Sequence, residues 1–203
     1  MSTRASVVAA MMTVAVLASG GAAGEPRRLD DGRLDPSWFG PDVEFRTTST
    51  IDYVWVKPGF SLKGKRLRVE KWPDPAFLGK ERRPRDAAQA YEVAESMPRR
   101  LRTTLHHTLD GFAEITTEGG DLVLSGRIVD YVAKGTMGKS QSQATWDIKI
   151  TDAASGEPLV AAHHRILMML STIEERIDMW LEEFGEALRD DLAIAASGTP
   201  ASS

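Results

Sequence analysis

The sequence of 203 residues contains no cysteine. Disulfide bonds, thiolate metal sites, cysteine nucleophiles and cysteine-linked lipid anchors are therefore excluded. An excess of positive charge is also missing, because 25 Lys and Arg residues face 29 Asp and Glu residues, a net charge of −4. Proteins that bind nucleic acid usually carry a basic domain or face. We therefore expect no nucleic-acid partner.

Long hydrophobic runs are absent beyond the amino terminus. There, Arg4 precedes an apolar run from Ala5 to Ala18, and small residues follow up to Gly24. A secretory signal peptide has the same three parts in the same order: a basic region, an apolar region and a region of small residues. Ser19 ends the run before it reaches about 20 apolar residues, the length of a membrane-spanning helix. We expect residues 1–24 to be removed, which leaves a periplasmic or secreted protein without a transmembrane segment.

The remaining chain has the composition of a globular domain, since 42% of all residues are apolar. Residues 25–50 are polar and rich in turn residues, which predicts an extended lead-in. Residues 51–192 contain the periodic apolar patterns and are expected to form one α+β domain. Residues 193–203 are small and polar, and we expect a disordered tail.

Alternating and helical spacings predict the elements of this domain. Strands are expected near residues 51–56, 65–71, 112–116, 122–132, 141–151 and 159–167. Helices are expected over residues 86–110, with a kink or a break at Pro98, and from residue 173 to about residue 192. The order predicts an α+β fold, specifically a two-layer sandwich with a mainly antiparallel sheet and two helices packed on one face.

The strand near residues 141–151 has the clearest alternation. Trp146 and Ile148 lie on its apolar face, whereas Asp147 and Lys149 lie on the other. This pattern is typical of an antiparallel strand that is buried on one face and solvated on the other.

Four histidines occur in two adjacent pairs, His106-His107 and His163-His164. Imidazoles bind zinc and copper, but neighbours on a helix or a strand point in different directions, so neither pair chelates by itself. The sequence also lacks the HExxH spacing of a zinc enzyme. We expect neither a metal site nor a cofactor.

One other segment approaches a catalytic motif without matching it. Residues 133–140 end in Gly-Lys-Ser like a phosphate-binding loop, but Ala133 replaces the first glycine and a strand pattern follows instead of a helix. No Gly-x-Ser-x-Gly elbow surrounds any serine. We therefore expect no enzyme and no catalytic residues. The alternative left open is a metal-dependent or serine-type hydrolase that uses His107 or His163.

Charged and aromatic clusters have ordinary structural interpretations. A basic cluster is expected in a solvated loop, with an interaction patch as the alternative; it comprises Lys80, Arg82, Arg83 and Arg85. An acidic cluster on the last helix is expected on its solvated side, with binding of a cation or a basic partner as the alternative; it comprises Glu174, Glu175, Glu182, Glu183 and Glu186. Four tryptophans are expected mainly in the core, with an exposed tryptophan near Pro73 that anchors a ligand or partner as the alternative; they are Trp55, Trp72, Trp146 and Trp180.

Several of these segments together resemble a group of uncharacterised bacterial envelope proteins, many of which are lipoproteins. The resemblance lies in residues 53–59, 67–69, 122–130 and 146–159, where a strand ends in Asp152 and the turn contains Ser155-Gly156. It implies a fold similar to the amino-terminal domain of TolB. It also implies a non-enzymatic accessory or scaffolding module that binds an envelope protein or an outer-membrane or transport component. The lipid-bearing cysteine of the lipoproteins is missing here, so a soluble form is expected.

Overall fold

The structure is a computed structural model that describes residues 33–46, 51–78, 82–132, 142–168 and 173–189. The expected signal peptide, the loop resembling a phosphate-binding loop and the expected tail lie outside these residues. Part of the expected lead-in is described.

The described chain contains three helices and six strands. In order they are α1 (Pro36–Phe39), β1 (Tyr53–Val56), β2 (Arg66–Val69), α2 (Pro84–Thr108), β3 (Glu114–Thr116), β4 (Leu122–Val132), β5 (Ser142–Asp152), β6 (Pro158–Met168) and α3 (Ile173–Arg189). The expected elements are present, and α2 is one helix that continues through Pro98. The short helix α1 was not predicted.

The six strands form one sheet in the order β1-β6-β5-β4-β2-β3. The pairs β1–β6, β6–β5 and β5–β4 are antiparallel, whereas β2 is parallel to both β4 and β3. The fold is thus α+β, but the expectation of a mainly antiparallel sheet is wrong, because the sheet is mixed. The reason is that the long helix α2 carries the chain back across the sheet between β2 and β3, so that β3 starts at the same end as β2.

The apolar face of the sheet and the two long helices share one core. Helix α2 contacts β2, β3 and β4, helix α3 contacts β5 and β6, and the two helices contact each other. The centre of this core contains Leu101 and Leu105 of α2, Trp146 and Ile148 of β5, and Phe184 of α3, each fully buried. Trp72 lies against Gly126 of β4, where an added Cβ would come within 2.3 Å of its ring.

The opposite face of the sheet is covered as well. Residues 33–46, here called the strap, run over it and place Phe39 in a buried position. The strap joins the sheet edge at Arg46, whose backbone exchanges hydrogen bonds of 2.9 and 2.8 Å with Val54 of β1. Asp147 in β5 is consequently 0% exposed. The expectation that β5 is solvated on one face is therefore wrong.

Within the described residues, no helix combines the length and the apolar character that crossing a membrane requires.

Candidate functional site

Ionisable groups are concentrated on the strap-covered face of the sheet. Register places Arg127 of β4 beside Asp147 of β5, Asp147 beside His163 of β6, and His163 beside Tyr53 of β1. Side chains at paired positions of neighbouring strands point to the same face. These four residues therefore form a row across four strands, here called the polar row.

The Asp147 carboxylate is the centre of the polar row. Its Oδ2 accepts a hydrogen bond of 2.9 Å from Nε of Arg127, and its Oδ1 lies 2.6 Å from Nδ1 of His163. All three side chains are less than one tenth exposed. A buried carboxylate needs such partners, because an unpaired charge in a low-dielectric interior is strongly unfavourable. The arrangement thus satisfies the charge of Asp147 inside the protein.

A second buried carboxylate, that of Asp130, lies further along β4. It binds two arginines, Arg33 of the strap and Arg82 just before α2. It also accepts a hydrogen bond of 3.1 Å from Nε2 of Gln143 on β5. Its side chain is 0% exposed. Asp130 therefore joins the strap, the segment before α2 and two strands at one point.

The strap contributes a carboxylate and an indole ring to the same face. Oδ2 of Asp35 lies 3.4 Å from the Arg127 guanidinium. The ring of Trp38 lies over Arg127 at 4.7 Å and over the ammonium of Lys149 at 4.3 Å. Lys149 also donates a hydrogen bond of 2.7 Å to the Trp38 carbonyl. Cation–π contacts of this kind hold the strap on the sheet.

The pKa values of two groups at the contact between the strap and the sheet are shifted, for different reasons. The Ser37 hydroxyl that donates to Asp35, assisted by the charge of Arg127, lowers the pKa of the Asp35 carboxyl. Burial, together with repulsion from Arg127, lowers the pKa of Lys149. The ionised Asp35 carboxylate therefore supports folding, whereas the desolvation of the Lys149 ammonium acts against the gain from its contacts with Trp38.

The polar row does not have the geometry of a hydrolase. His163 is only 3% exposed, and its Nδ1 is engaged by Asp147. Within the described ranges, its ring contacts Asp147 and Tyr53, and no serine hydroxyl bonds to it. A triad requires the histidine to contact a nucleophile that substrate can reach. The structure supports a role for His163 in packing and pairing.

The other three histidines lie in different environments. His106 and His107 are exposed on α2. His164 points to the apolar face, where its ring stacks on Trp180 with centroids 5.0 Å apart and its Nδ1 lies 3.3 Å from Asp52. In the part of the chain that the structure describes, no three His, Asp or Glu side chains are grouped so that they could hold a metal ion.

The other predicted clusters are placed as follows. Arg82 of the basic cluster is largely buried on Asp130, so the expectation of a wholly solvated loop is wrong; Arg83 and Arg85 are exposed, and Lys80 lies outside the described residues. The acidic residues of α3 are exposed as expected. Trp72, Trp146 and Trp180 are in the core, whereas Trp55 is half-buried.

Sequence reasoning missed the polar row and Trp38. A partial signal for the row was present, because the turn pairs β5 with β6; counting outward from Thr151 opposite Pro158 places Asp147 opposite Ala162, and a register shift between Ile150 and Thr151 moves its partner to His163. Opposite charges at facing positions of adjacent strands pair favourably. The strap was not predictable in the same way, since its short helix has too few residues to show a period.

No protein-family model matches this chain, and no curated protein sequence matches it. Solved structures do match. The PelC dodecamer from Paraburkholderia phytofirmans is 14% identical, covers 67% of this chain and 96% of its own, and has a TM-score of 0.50. At this identity the likeness to PelC is one of fold.

Two further solved structures are less similar. Protein XCC0632 from Xanthomonas campestris, of the DUF330 family, is 11% identical over 76% of this chain and 95% of its own, with a TM-score of 0.38. A candidate lipoprotein from Caulobacter crescentus is 13% identical over 50% of this chain and 84% of its own, with a TM-score of 0.34. The chain thus has an α+β fold of the kind found in PelC.

Proposed function

We propose that this chain is a non-enzymatic accessory or scaffolding module of the bacterial cell envelope, exported to the periplasm or beyond, that binds an envelope protein or an outer-membrane or transport component. The observation that carries the proposal is that Asp130 and Asp147, the fully buried carboxylates of the strap-covered face, are bonded to arginine and histidine within the protein. Both carboxylates are engaged in pairing within the fold, which supports a structural role for them.

The most suitable docking surface is the outer edge of β3 (Glu114–Thr116). β3 is the last strand of the sheet on that side, so its second edge has no partner strand among the described residues. The other end strand, β1, already bonds Arg46 of the strap. An edge strand offers backbone groups to which an extended segment of a partner can add.

A surface depression adjoins this edge. Its volume is about 420 Å³, and its lining includes Lys65, His106, Phe112 and Ile115. Such a depression next to an edge supplies a place for one side chain of an added strand. A strand such as β5, by contrast, lies in the middle of the sheet and has no edge to offer.

The experiment is capture of envelope proteins by the purified chain and by two variants of one residue. Ile115→Pro removes a backbone donor from β3, whereas Ile115→Ala keeps the donor and removes most of the side chain. Binding through the edge predicts a partner that is recovered with the wild type and Ile115→Ala and lost with Ile115→Pro. Thermal unfolding of both variants checks that each is folded. Equal recovery by two folded variants would overturn the edge assignment.

The proposal also includes export and a two-layer fold similar to that of the TolB amino-terminal domain. Export is tested by mass spectrometry of the protein from the producing bacterium. A mature amino terminus near Gly24 or Glu25 is expected, and an intact leader in cytosolic material would contradict export.

PelC is described as a dodecamer. We extend the proposal to this chain and propose that it acts in more than one copy. Sedimentation of the purified protein over a range of concentrations tests this part separately from partner capture.

A further inference from the structure

Two neighbouring helices present opposite charge to solvent. The outer surface of α3 carries several exposed acidic residues, and the second half of α2 carries arginines. A groove of about 600 Å³ separates them, with threonines along the α2 side. Its charged or titratable lining residues are Arg99, Arg100 and His107 on α2, here called the basic bank, and Asp178, Glu182 and Glu186 on α3, here called the acidic bank.

The charges of the two banks are only partly paired within the protein. Nη1 of Arg100 lies 2.7 Å from Oδ1 of Asp178, which joins the helices at one point. Over the described ranges, Arg99, Glu182 and Glu186 have no ion-pair partner. The groove therefore keeps positive charge on one side and negative charge on the other.

Two parallel stripes of opposite charge are complementary to a second copy of themselves. A two-fold axis that runs along the groove exchanges left and right while it turns one surface to face the other. The acidic bank of each copy then lies over the basic bank of its partner. This is an isologous contact, in which each complementary pair occurs twice.

Exposed apolar side chains lie on the same two helices. Among the described residues three large hydrophobic side chains are exposed, and two of these are Tyr91 of α2, at 46%, and Met179 of α3, at 48%. Neither side chain lines the groove itself; Met179 follows Asp178 of the acidic bank in the chain, and the Tyr91 ring contacts Phe77. Aromatic residues and methionine are enriched where protein surfaces meet, and a charged surround around them sets orientation.

We propose that the groove between α2 and α3 is a contact between two copies of this chain, in which the acidic bank of each copy pairs with the basic bank of the other. The inference rests on the proposed multi-copy action and assigns a surface to it. A different protein with a basic surface would match only the acidic bank and would leave Arg99 unpaired, so a second copy fits the groove better.

The test is sedimentation of the purified chain at low and high salt. Wild type is expected to associate with rising concentration, and the association should weaken in 0.5 M salt because exposed charges are screened. Glu182→Arg with Glu186→Arg makes both banks positive, and we expect at least about tenfold weaker association. Arg99→Glu with His107→Glu makes both banks negative and should weaken it similarly. Mixing the two double variants should restore a complex.

The matched control changes the net charge equally at distant exposed positions, Asp42→Arg with Glu118→Arg, and should associate like wild type. An oligomeric wild type whose association is unchanged in the Glu182 and Glu186 variant would overturn this inference and leave multi-copy action standing. A monomeric wild type would overturn both. A monomer that binds a lysine-rich peptide only while Glu182 and Glu186 are intact would assign the groove to a basic partner instead.

Discussion

Nδ1 of His163 lies 2.6 Å from Oδ1 of Asp147 in the interior of the sheet. The other oxygen of the same carboxylate accepts from Arg127 at 2.9 Å. One acid on a central strand thus connects β4, β5 and β6 through side chains as well as through the backbone. The sheet is therefore stabilised on one face by apolar packing and on the other by pairing of buried charge.

Neutralising Asp147 is expected to destabilise the protein strongly. Asp147→Asn keeps the shape but leaves the buried Arg127 guanidinium with only the more distant carboxylate of Asp35, at 3.4 Å, and we expect a loss of about 3–5 kcal/mol of unfolding free energy. Urea unfolding followed by circular dichroism measures the loss. Asp178→Asn, which breaks the exposed pair with Arg100, is the control and should cost less than about 1 kcal/mol. A similar small loss for both would show that the Asp147 pairing contributes little.

The contact between Gly126 and Trp72 predicts a steric effect. A methyl group at position 126 would meet the indole at 2.3 Å, so we expect Gly126→Ala to lower the unfolding free energy by about 1–3 kcal/mol through overpacking. Trp72→Leu removes the indole from this space. In the double variant, the loss of unfolding free energy should therefore be smaller than the sum of the two single losses. Strict additivity of the two losses in thermal unfolding would argue against the contact.

Removing the Trp38 ring should loosen the strap without unfolding the sheet. In Trp38→Ala the side chains of Arg127 and Lys149 lose an aromatic cover, with an expected loss of about 1–2 kcal/mol. Hydrogen exchange should then speed up in the strap and leave the amides of β5 protected. Trp38→Phe keeps an aromatic ring, so its exchange rates in the strap should lie between those of the wild type and of Trp38→Ala. Equal hydrogen-exchange rates in the strap of the wild type and both variants would show that Trp38 does not hold the strap on the sheet.

Tyr131 predicts a loss of stability at high pH. Burial, assisted by the charge of Glu174, raises the pKa of its phenol from 10.0 to about 12. Between these values the unfolded chain releases the phenol proton while the folded chain holds it, so stability falls as pH rises, by at most about 1.4 kcal/mol per pH unit. Tyr131→Phe should remove this part of the slope when unfolding is measured at pH 9 to 12. If the slope of stability against pH is the same in Tyr131→Phe as in the wild type, a group other than Tyr131 causes it.

Much of the fold was predictable because its long strands have clear periods. The strand predicted at residues 122–132 is observed as Leu122–Val132. The direction of β3 relative to β2 was not predictable, because it depends on how α2 crosses the sheet. Alternation within a strand does not encode that crossing.

The burial of charged residues was the second feature that could not be predicted from the sequence. Polar residues such as Asp147 and Lys149 have the same spacing whether solvent or a distant segment covers them. Trp38 covers Lys149, and Asp35 contacts Arg127, the partner of Asp147; each of these contacts spans more than 90 residues of the chain. The candidate docking edge likewise depends on the order of strands in the sheet and has no local sequence signal.

Site-specific crosslinking in the producing bacterium tests the proposed function most directly. A photoreactive residue replaces Ile115 at the edge of β3, and a second protein carries it at Glu157, an exposed position in the hairpin between β5 and β6. We predict a discrete adduct with an envelope protein from position 115 and none from position 157. Illumination that yields no adduct at position 115, or the same adducts from both positions, would contradict docking of a partner at this edge.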